Sequence, residues 1–228
     1  MSHPVRSLGR AMLLPTTCPV CGATGPAPCA GCAALLRRAP ALPPPPGVDR
    51  CRAFLDYDGV GRELVARLKY RNARASVPFL ARGMAALAAG DDVEVDVVTW
   101  APTTVARRRE RGFDQAELLA RAVARRIGRP CRPLLARAPG LAQTGRDAVA
   151  RYAGPGFTAR GRAEGRRILL VDDVVTTGAT VGAAARALRE AGAVAVSVVA
   201  AARTPPGRGH VHSAMVASTS QPEMCPWK

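Results

Sequence analysis

Two adjacent carboxylates followed by a glycine turn carry the plainest chemistry in this chain. Over residues 166–181 the sequence reads R-R-I-L-L-V-D-D-V-V-T-T-G-A-T-V. An apolar run ends in Asp172 and Asp173, and Thr176, Thr177, Gly178, Ala179 and Thr180 follow. Neighbouring carboxylates repel one another and are costly unless something neutralises them or donates hydrogen bonds to them. A ribose 2′,3′-diol supplies two hydroxyl donors, and Mg²⁺ supplies the opposite charge. The turn beyond offers backbone N–H groups, hydroxyls and a helix N-terminus, with Gly178 allowing close approach. Such a turn is a cradle for a monophosphate. Acid pair and cradle are a few residues apart, the span of one ribose phosphate.

Two further clusters stand out. Cys18-x2-Cys21 and Cys29-x2-Cys32 offer four soft ligands in two knuckles, with Gly22 and Gly31 suited to the turns. That set is expected to hold a structural Zn²⁺, closed to substrate because protein fills all four positions. Arg107, Arg108, Arg109 and Arg111 form a basic loop between a strand ending near Trp100 and a helix beginning near Gln115. Gly112 permits a tight turn there, and the guanidinium forks suit phosphate oxygens. Cys51, Cys131 and Cys225 have no partner in spacing and receive no role. His210 and His212 fall in a terminal stretch.

The elements that must position these groups alternate between helix and strand. Val60, Leu64 and Leu68 have helical spacing up to Tyr70, and a second helix is expected over Phe79 to Ala89. Asp92 to Trp100 reads as a strand, Gln115 to Ile127 as a helix, and residues 168–171 as a fully apolar strand. Val181, Ala184, Ala185, Leu188 and Ala191 mark a helix ended by Gly192, and residues 194–200 a final strand. This order predicts an α/β fold with a doubly wound parallel sheet, whose ligands bind beyond the strand carboxyl ends. The expected organisation is an irregular leader over 1–17, a four-cysteine module over 18–38 and a stiff proline-rich linker over 39–47. The main domain covers 48–204, and a mobile tail 205–228.

Composition narrows the partners. The chain of 228 residues has 33 Lys and Arg against 17 Asp and Glu, a net charge of +16, and all but Lys69 and Lys228 of the basic residues are arginine. The excess points to anionic partners such as phosphates, nucleotides or nucleic acid. Aromatic residues make up 4%, too few for an extended stacking platform for single strands. No apolar run reaches the roughly 18 residues of a spanning helix. An odd cysteine count in paired spacing argues against a secreted disulfide framework, so the cytoplasm is the expected compartment.

Taken together these residues resemble a known family. The 166–181 string is similar to the phosphoribosyl pyrophosphate (PRPP) motif of type I phosphoribosyltransferases. R-L-K-Y-R-N-A-R at 67–74, R-R-R-E-R-G-F-D-Q-A-E-L-L-A-R-A-V-A at 107–124, A-Q-T-G at 142–145 and L-L-V-D-D-V-V-T-T-G-A-T at 169–180 stand in the order of ComF family proteins. The resemblance runs from about Cys18 to Thr204. It implies a type I phosphoribosyltransferase core with a small zinc-ribbon-like module before it. Asp172 and Asp173 would sit on the ribose hydroxyls and residues 176–180 on the 5′-phosphate. Arg107, Arg108 and Arg111 would meet the pyrophosphate with Mg²⁺, and Lys69 would be a phosphate contact. The family is linked in some bacteria to DNA uptake during competence.

Departures bear on the substrate. Asp114 stands where the family usually has Asn, the Asn expected after the Gln-Thr-Gly stretch is missing, and the region near Arg151 is shortened. One cysteine module is present where many relatives carry a longer, double one. The expected activity is transfer of phosphoribosyl from Mg-PRPP to an unidentified nitrogen acceptor, with Asp172, Asp173, Arg107 and Arg111 carrying the reaction. A glutamine-dependent amidophosphoribosyltransferase is not expected, because the roughly 50 residues before the core are taken by the cysteine module and linker. The alternative is a non-catalytic PRPP or nucleotide sensor that meets single- or double-stranded nucleic acid. Homo-oligomerisation stays open.

Overall fold

The structure is a computed structural model that describes residues 16–41, 43–69, 71–90, 94–138 and 156–204. The N-terminal leader to residue 15, the A-Q-T-G stretch, Arg151, Cys225, the two C-terminal histidines and the tail beyond Thr204 lie outside the described residues.

The elements, in chain order, are α1 (Ala30–Ala34), β1 (Arg50–Asp56), α2 (Gly59–Ala66), α3 (Val77–Ala89), β2 (Val97–Trp100), α4 (Val105–Arg111), α5 (Gln115–Ile127), β3 (Leu135–Arg137), β4 (Phe157–Ala159), β5 (Arg167–Val175), α6 (Ala179–Glu190) and β6 (Ala195–Arg203). Short 3₁₀ turns at Arg67–Lys69 and Arg71–Ser76 lead from α2 to α3. The main sheet has the order β1-β6-β5-β2 with every pair parallel. β3 and β4 form a separate antiparallel pair.

β5 sits inside the sheet between β6 and β2, so both its faces need apolar residues. Leu169 and Val171 face a core built by α2, α3 and α5, whereas Ile168 and Leu170 face a second core built by α6 and the β3 region. Helices on both faces make the sheet doubly wound, as expected. Each of these four side chains contributes about 1.5–3 kcal/mol on burial, which offsets the cost of ending the strand in a buried carboxylate. Ion pairs hold the opposite end of the sheet: Arg167 with Asp96 at 2.7 Å and with Glu94, and Arg189 with Asp49 at 2.5 Å.

Two differences from the sequence reading have physical causes. The arginine stretch is a short helix, α4, rather than a loop. It buries nothing, so no apolar stripe announces it. The Thr104 hydroxyl accepts from Arg107 N at 3.3 Å to start it, and Gly112, at φ 75°, ends it. The end of the cysteine segment and the first residue of the expected spacer are tied down. Arg37 O accepts from Asp56 N at 2.9 Å, Ala39 N donates to Phe54 O at 3.4 Å, and the Arg38 guanidinium lies 4.5 Å from the Phe54 ring centroid. These contacts cover the outer edge of β1, which would otherwise present an unpaired strand. Val20 and Leu36 pack on the main core.

Candidate functional site

A cleft of about 490 Å³ opens at the carboxyl ends of the strands, within the 300–1,000 Å³ range of small-molecule sites. β5 and the turn after it contribute Asp172, Asp173, Thr176 and Thr180; α4 and the start of α5 contribute Arg107, Arg111, Asp114 and Gln115. Tyr57 comes from the end of β1 and Arg137 from β3.

Asp172 is buried at 8% exposure, and its Oδ1 accepts from Asp173 N at 2.8 Å. Burial pushes its carboxyl well above the usual range, and the charge of Asp173 adds to the rise. Asp173 is half-buried, and its own Oδ1 accepts from Val174 N at 2.7 Å. The pair thus keeps outward-facing acceptor capacity in a desolvated place, the arrangement that favours a ligand bringing donors or positive charge.

The turn beyond is built as a cradle. Gly178 at φ 81° caps α6, and its carbonyl accepts from Gly182 N at 2.8 Å. Thr177 Oγ1 accepts from Ala179 N at 3.4 Å. Thr176 and Thr180 line the cleft; Thr177, Gly178 and Ala179 form the loop between them, and the amides at the start of α6 point to its N-terminal end.

Arginine residues are sorted by helix geometry. Arg107 and Arg111, one turn apart on α4, line the cleft. Arg111 Nη1 donates to Gln115 Oε1 at 3.1 Å. Arg108 lies 3.5 Å from the Glu117 carboxylate, which also holds Arg121 at 2.8 Å, and is not among the cleft residues. The Lys69 side chain lies outside the described residues. Arg74 is stacked 4.4 Å from the Phe113 ring centroid, so the 67–74 and 107–124 segments meet in space.

Arg137 was not singled out from the sequence, where it is one arginine among many. It reaches the cleft because β3 pairs with β4 beside the sheet, and its guanidinium lies 5.5 Å from the Phe157 ring centroid. Nη1 donates to Pro102 O at 3.4 Å. Burial pulls its pKa down, and Arg107 adds to the fall. No ion pair among the described residues engages Arg107, Arg111 or Arg137. Three cations that share the cleft with Asp114, Asp172 and Asp173, and are held in no ion pair among the described residues, suit a ligand carrying several phosphate charges.

The four-cysteine cluster is a separate site. The Sγ atoms of Cys18, Cys21, Cys29 and Cys32 all lie within 4.8 Å of one another, with Cys21 and Cys29 at 3.6 Å. Tetrahedral Zn–S coordination places sulfur atoms about 3.8 Å apart, so the donor set fits. Cys18 N donates to Ala23 O at 2.8 Å and Gly22 N to Cys18 O at 2.9 Å, shaping the first knuckle. Burial pushes the Cys18 thiol up, but hydrogen bonds from the amides of Cys21, Cys29 and Val20 outweigh it and bring the thiol down to about 6.

Comparison with known proteins agrees with this geometry. Residues 114–224 match the phosphoribosyl transferase domain. The chain is 31% identical over 147 residues to the competence protein ComFC of Bacillus subtilis (strain 168), an overlap of 63% of this chain and 60% of that protein. It therefore spans less than two thirds of that relative's length. Among solved structures, it is similar to the glutamine PRPP amidotransferase of B. subtilis, with 26% identity, a TM-score of 0.43, and coverage of 60% of this chain and 30% of that one. The purine phosphoribosyltransferase of Pyrococcus horikoshii overlaps at 15% identity and a TM-score of 0.39, covering 57% of this chain and 83% of the other. With its parallel sheet, its acid pair and glycine turn, and four cysteines ahead of the core, the chain is similar to ComFC and carries a match to the phosphoribosyl transferase domain over residues 114–224.

Proposed function

We propose that the cleft binds Mg-PRPP and transfers its phosphoribosyl group to a nitrogen nucleophile, releasing pyrophosphate. One observation carries the reading: Asp172, Asp173, Thr176 and Thr180 share a single cleft with Arg107, Arg111 and Arg137. The two acids accept from the ribose hydroxyls, while the threonine hydroxyls and the amides of residues 177–180 hold the 5′-phosphate. In the reaction the anomeric C–O bond breaks, its electron pair leaving on pyrophosphate, and the nitrogen lone pair forms the new C–N bond. Charge grows on pyrophosphate oxygens as the sugar becomes cationic. Arg107, Arg111 and Arg137 stabilise that growing charge, and Arg108, held by Glu117, stands behind them. Mg²⁺ carried by PRPP supplies further positive charge there, and the buried acid pair is the donor set suited to it. No covalent nucleophile is required, so orientation and electrostatics supply the acceleration.

The cysteine cluster holds Zn²⁺ as a structural ion in this reading. The four ligands are all protein thiols, which leaves no open position for chemistry.

The test is calorimetric titration of PRPP with and without Mg²⁺, on wild type and on the Asp172→Ala/Asp173→Ala double variant. Mg²⁺-dependent binding lost in the variant sustains the site. Pyrophosphate release is then screened with nucleobases, amines and ammonia. Binding without release from any acceptor turns the reading into PRPP sensing; no binding by folded wild type removes it.

A further inference from the structure

The segment between the cysteine module and the sheet touches the cradle from behind. Val48 N donates to Pro45 O at 3.1 Å, and Gly47 has φ 82°, so Pro45 to Val48 form a type II turn with Pro46 and Gly47 at its centre. This turn lies on one stripe of α6. A Cβ built on Gly178 would stand 2.5 Å from Pro45 Cγ and 3.1 Å from Pro45 Cβ. One built on Gly182 would stand 3.4 Å from Pro46 O, and one on Gly47 would stand 3.6 Å from Arg186 Cγ. Residues 178, 182 and 186 are one turn apart, so the two glycines form the groove that receives the prolines.

Both flanks of the turn are anchored. Upstream, Arg37 and Ala39 are hydrogen-bonded along the edge of β1. Downstream, Asp49 N donates to Val196 O at 2.9 Å, and the Asp49 carboxylate holds Arg189 Nη2 at 2.5 and 2.6 Å and Val196 N at 2.7 Å. Pro45 is therefore held against the backbone of Gly178, while Thr176 and Thr180 of the same loop face the cleft.

We propose that Pro45 is a positioning residue for the phosphate cradle: seating of the Pro45–Val48 turn in the Gly178–Gly182 groove holds residues 176–180 in their receptive conformation. The proposal rests on the PRPP reading for its ligand. The physical need is clear. Glycine has the widest backbone freedom of any residue, and a loop that binds phosphate through successive amides must lose that freedom before the ligand arrives. Side chains within the loop cannot restrain Gly178 from the cleft side without blocking the phosphate. A proline ring behind it can, and it loses almost no side-chain entropy in doing so.

The experiment compares wild type with Pro45→Ala and Pro45→Val by amide hydrogen exchange and by Mg-PRPP calorimetry, with thermal denaturation confirming the fold. The reporter is the Gly182 amide, whose bond to Gly178 O reads the start of α6 directly. In Pro45→Ala this amide is expected to exchange about tenfold faster and Mg-PRPP to bind about three- to tenfold more weakly, with the bulkier Val restoring part of both. Unchanged exchange at Gly182 overturns the proposal, as does faster exchange with wild-type affinity. If wild type itself fails to bind PRPP, the PRPP reading falls, and the exchange result alone decides whether the turn braces the loop.

Discussion

Thr103 donates its backbone N–H to Asp114 Oδ2 at 2.8 Å, tying the loop after β2 to the head of α5. The other oxygen, Oδ1, accepts from Ala116 N at 3.0 Å and Glu117 N at 3.3 Å. One carboxylate thus satisfies two helix-end amides and one loop amide, each of which needs an acceptor. An asparagine at this place could not do this, because one of its two terminal atoms is a donor.

Asp114→Asn is expected to free the Thr103 amide and weaken Mg-PRPP binding about tenfold, the size of one hydrogen bond to a charged group. Burial already pushes the Asp114 carboxyl up, so losing its charge opposes the lost bond, and the melting temperature should move little. Calorimetry paired with exchange at Thr103 tests this. An affinity within twofold of wild type would show that the tie does not position the site.

Asp172 should cost the fold stability at neutral pH. Its folded pKa is raised, so the folded state holds the proton more tightly than the unfolded chain. Stability is then fullest below the ordinary carboxylate value of about 3.9 and falls as pH rises towards the raised value. Asp172→Asn removes that loss. The variant is expected to melt higher than wild type at pH 7, by about 2–4 °C for each kcal/mol recovered. The gain should shrink towards zero near pH 4, while Mg-PRPP binding disappears. Melting curves from pH 4 to 8 decide it, and a gain independent of pH would refute the assignment.

Arg137 should matter more than its place in the sequence suggests. Arg137→Gln deletes a cation facing the cleft, and charge-assisted hydrogen bonds are worth about 1.5–3 kcal/mol. Mg-PRPP affinity is expected to fall about ten- to hundredfold, while Arg109→Gln, on the exposed part of α4 and outside the cleft, leaves it unchanged. Equal effects of the two would mean that bulk charge, not position, governs binding.

The cysteine cluster should hold one zinc per chain. Elemental analysis of purified protein is expected to show that stoichiometry, and Cys18→Ser or a strong chelator to abolish it. Because Val20 and Leu36 pack on the main core, loss of the ion should also lower the melting temperature. Protein that is folded but free of zinc would contradict the assignment.

The acid pair, the glycine turn and the cysteine pairs were legible in the amino-acid sequence because their chemistry is local. Consecutive residues on one strand end, one turn or one knuckle stay together however the chain folds. α5 was legible over its full length, since Leu119 and Val123 mark one stripe, Asp114 caps it, and Gly128 ends it. β1 was not, because its exposed Arg50 and Arg52 interrupt the apolar pattern of an edge strand. Tertiary structure alone decided the rest. It turned the arginine run into a helix that sends Arg107 and Arg111 to the cleft and Arg108 to Glu117. It brought Arg137 beside Pro102 through the antiparallel pairing of β3 with β4, and set Pro45 against Gly178 across most of the chain. Those contacts depend on strand register and on which face each helix buries, and no short stretch of sequence contains that information.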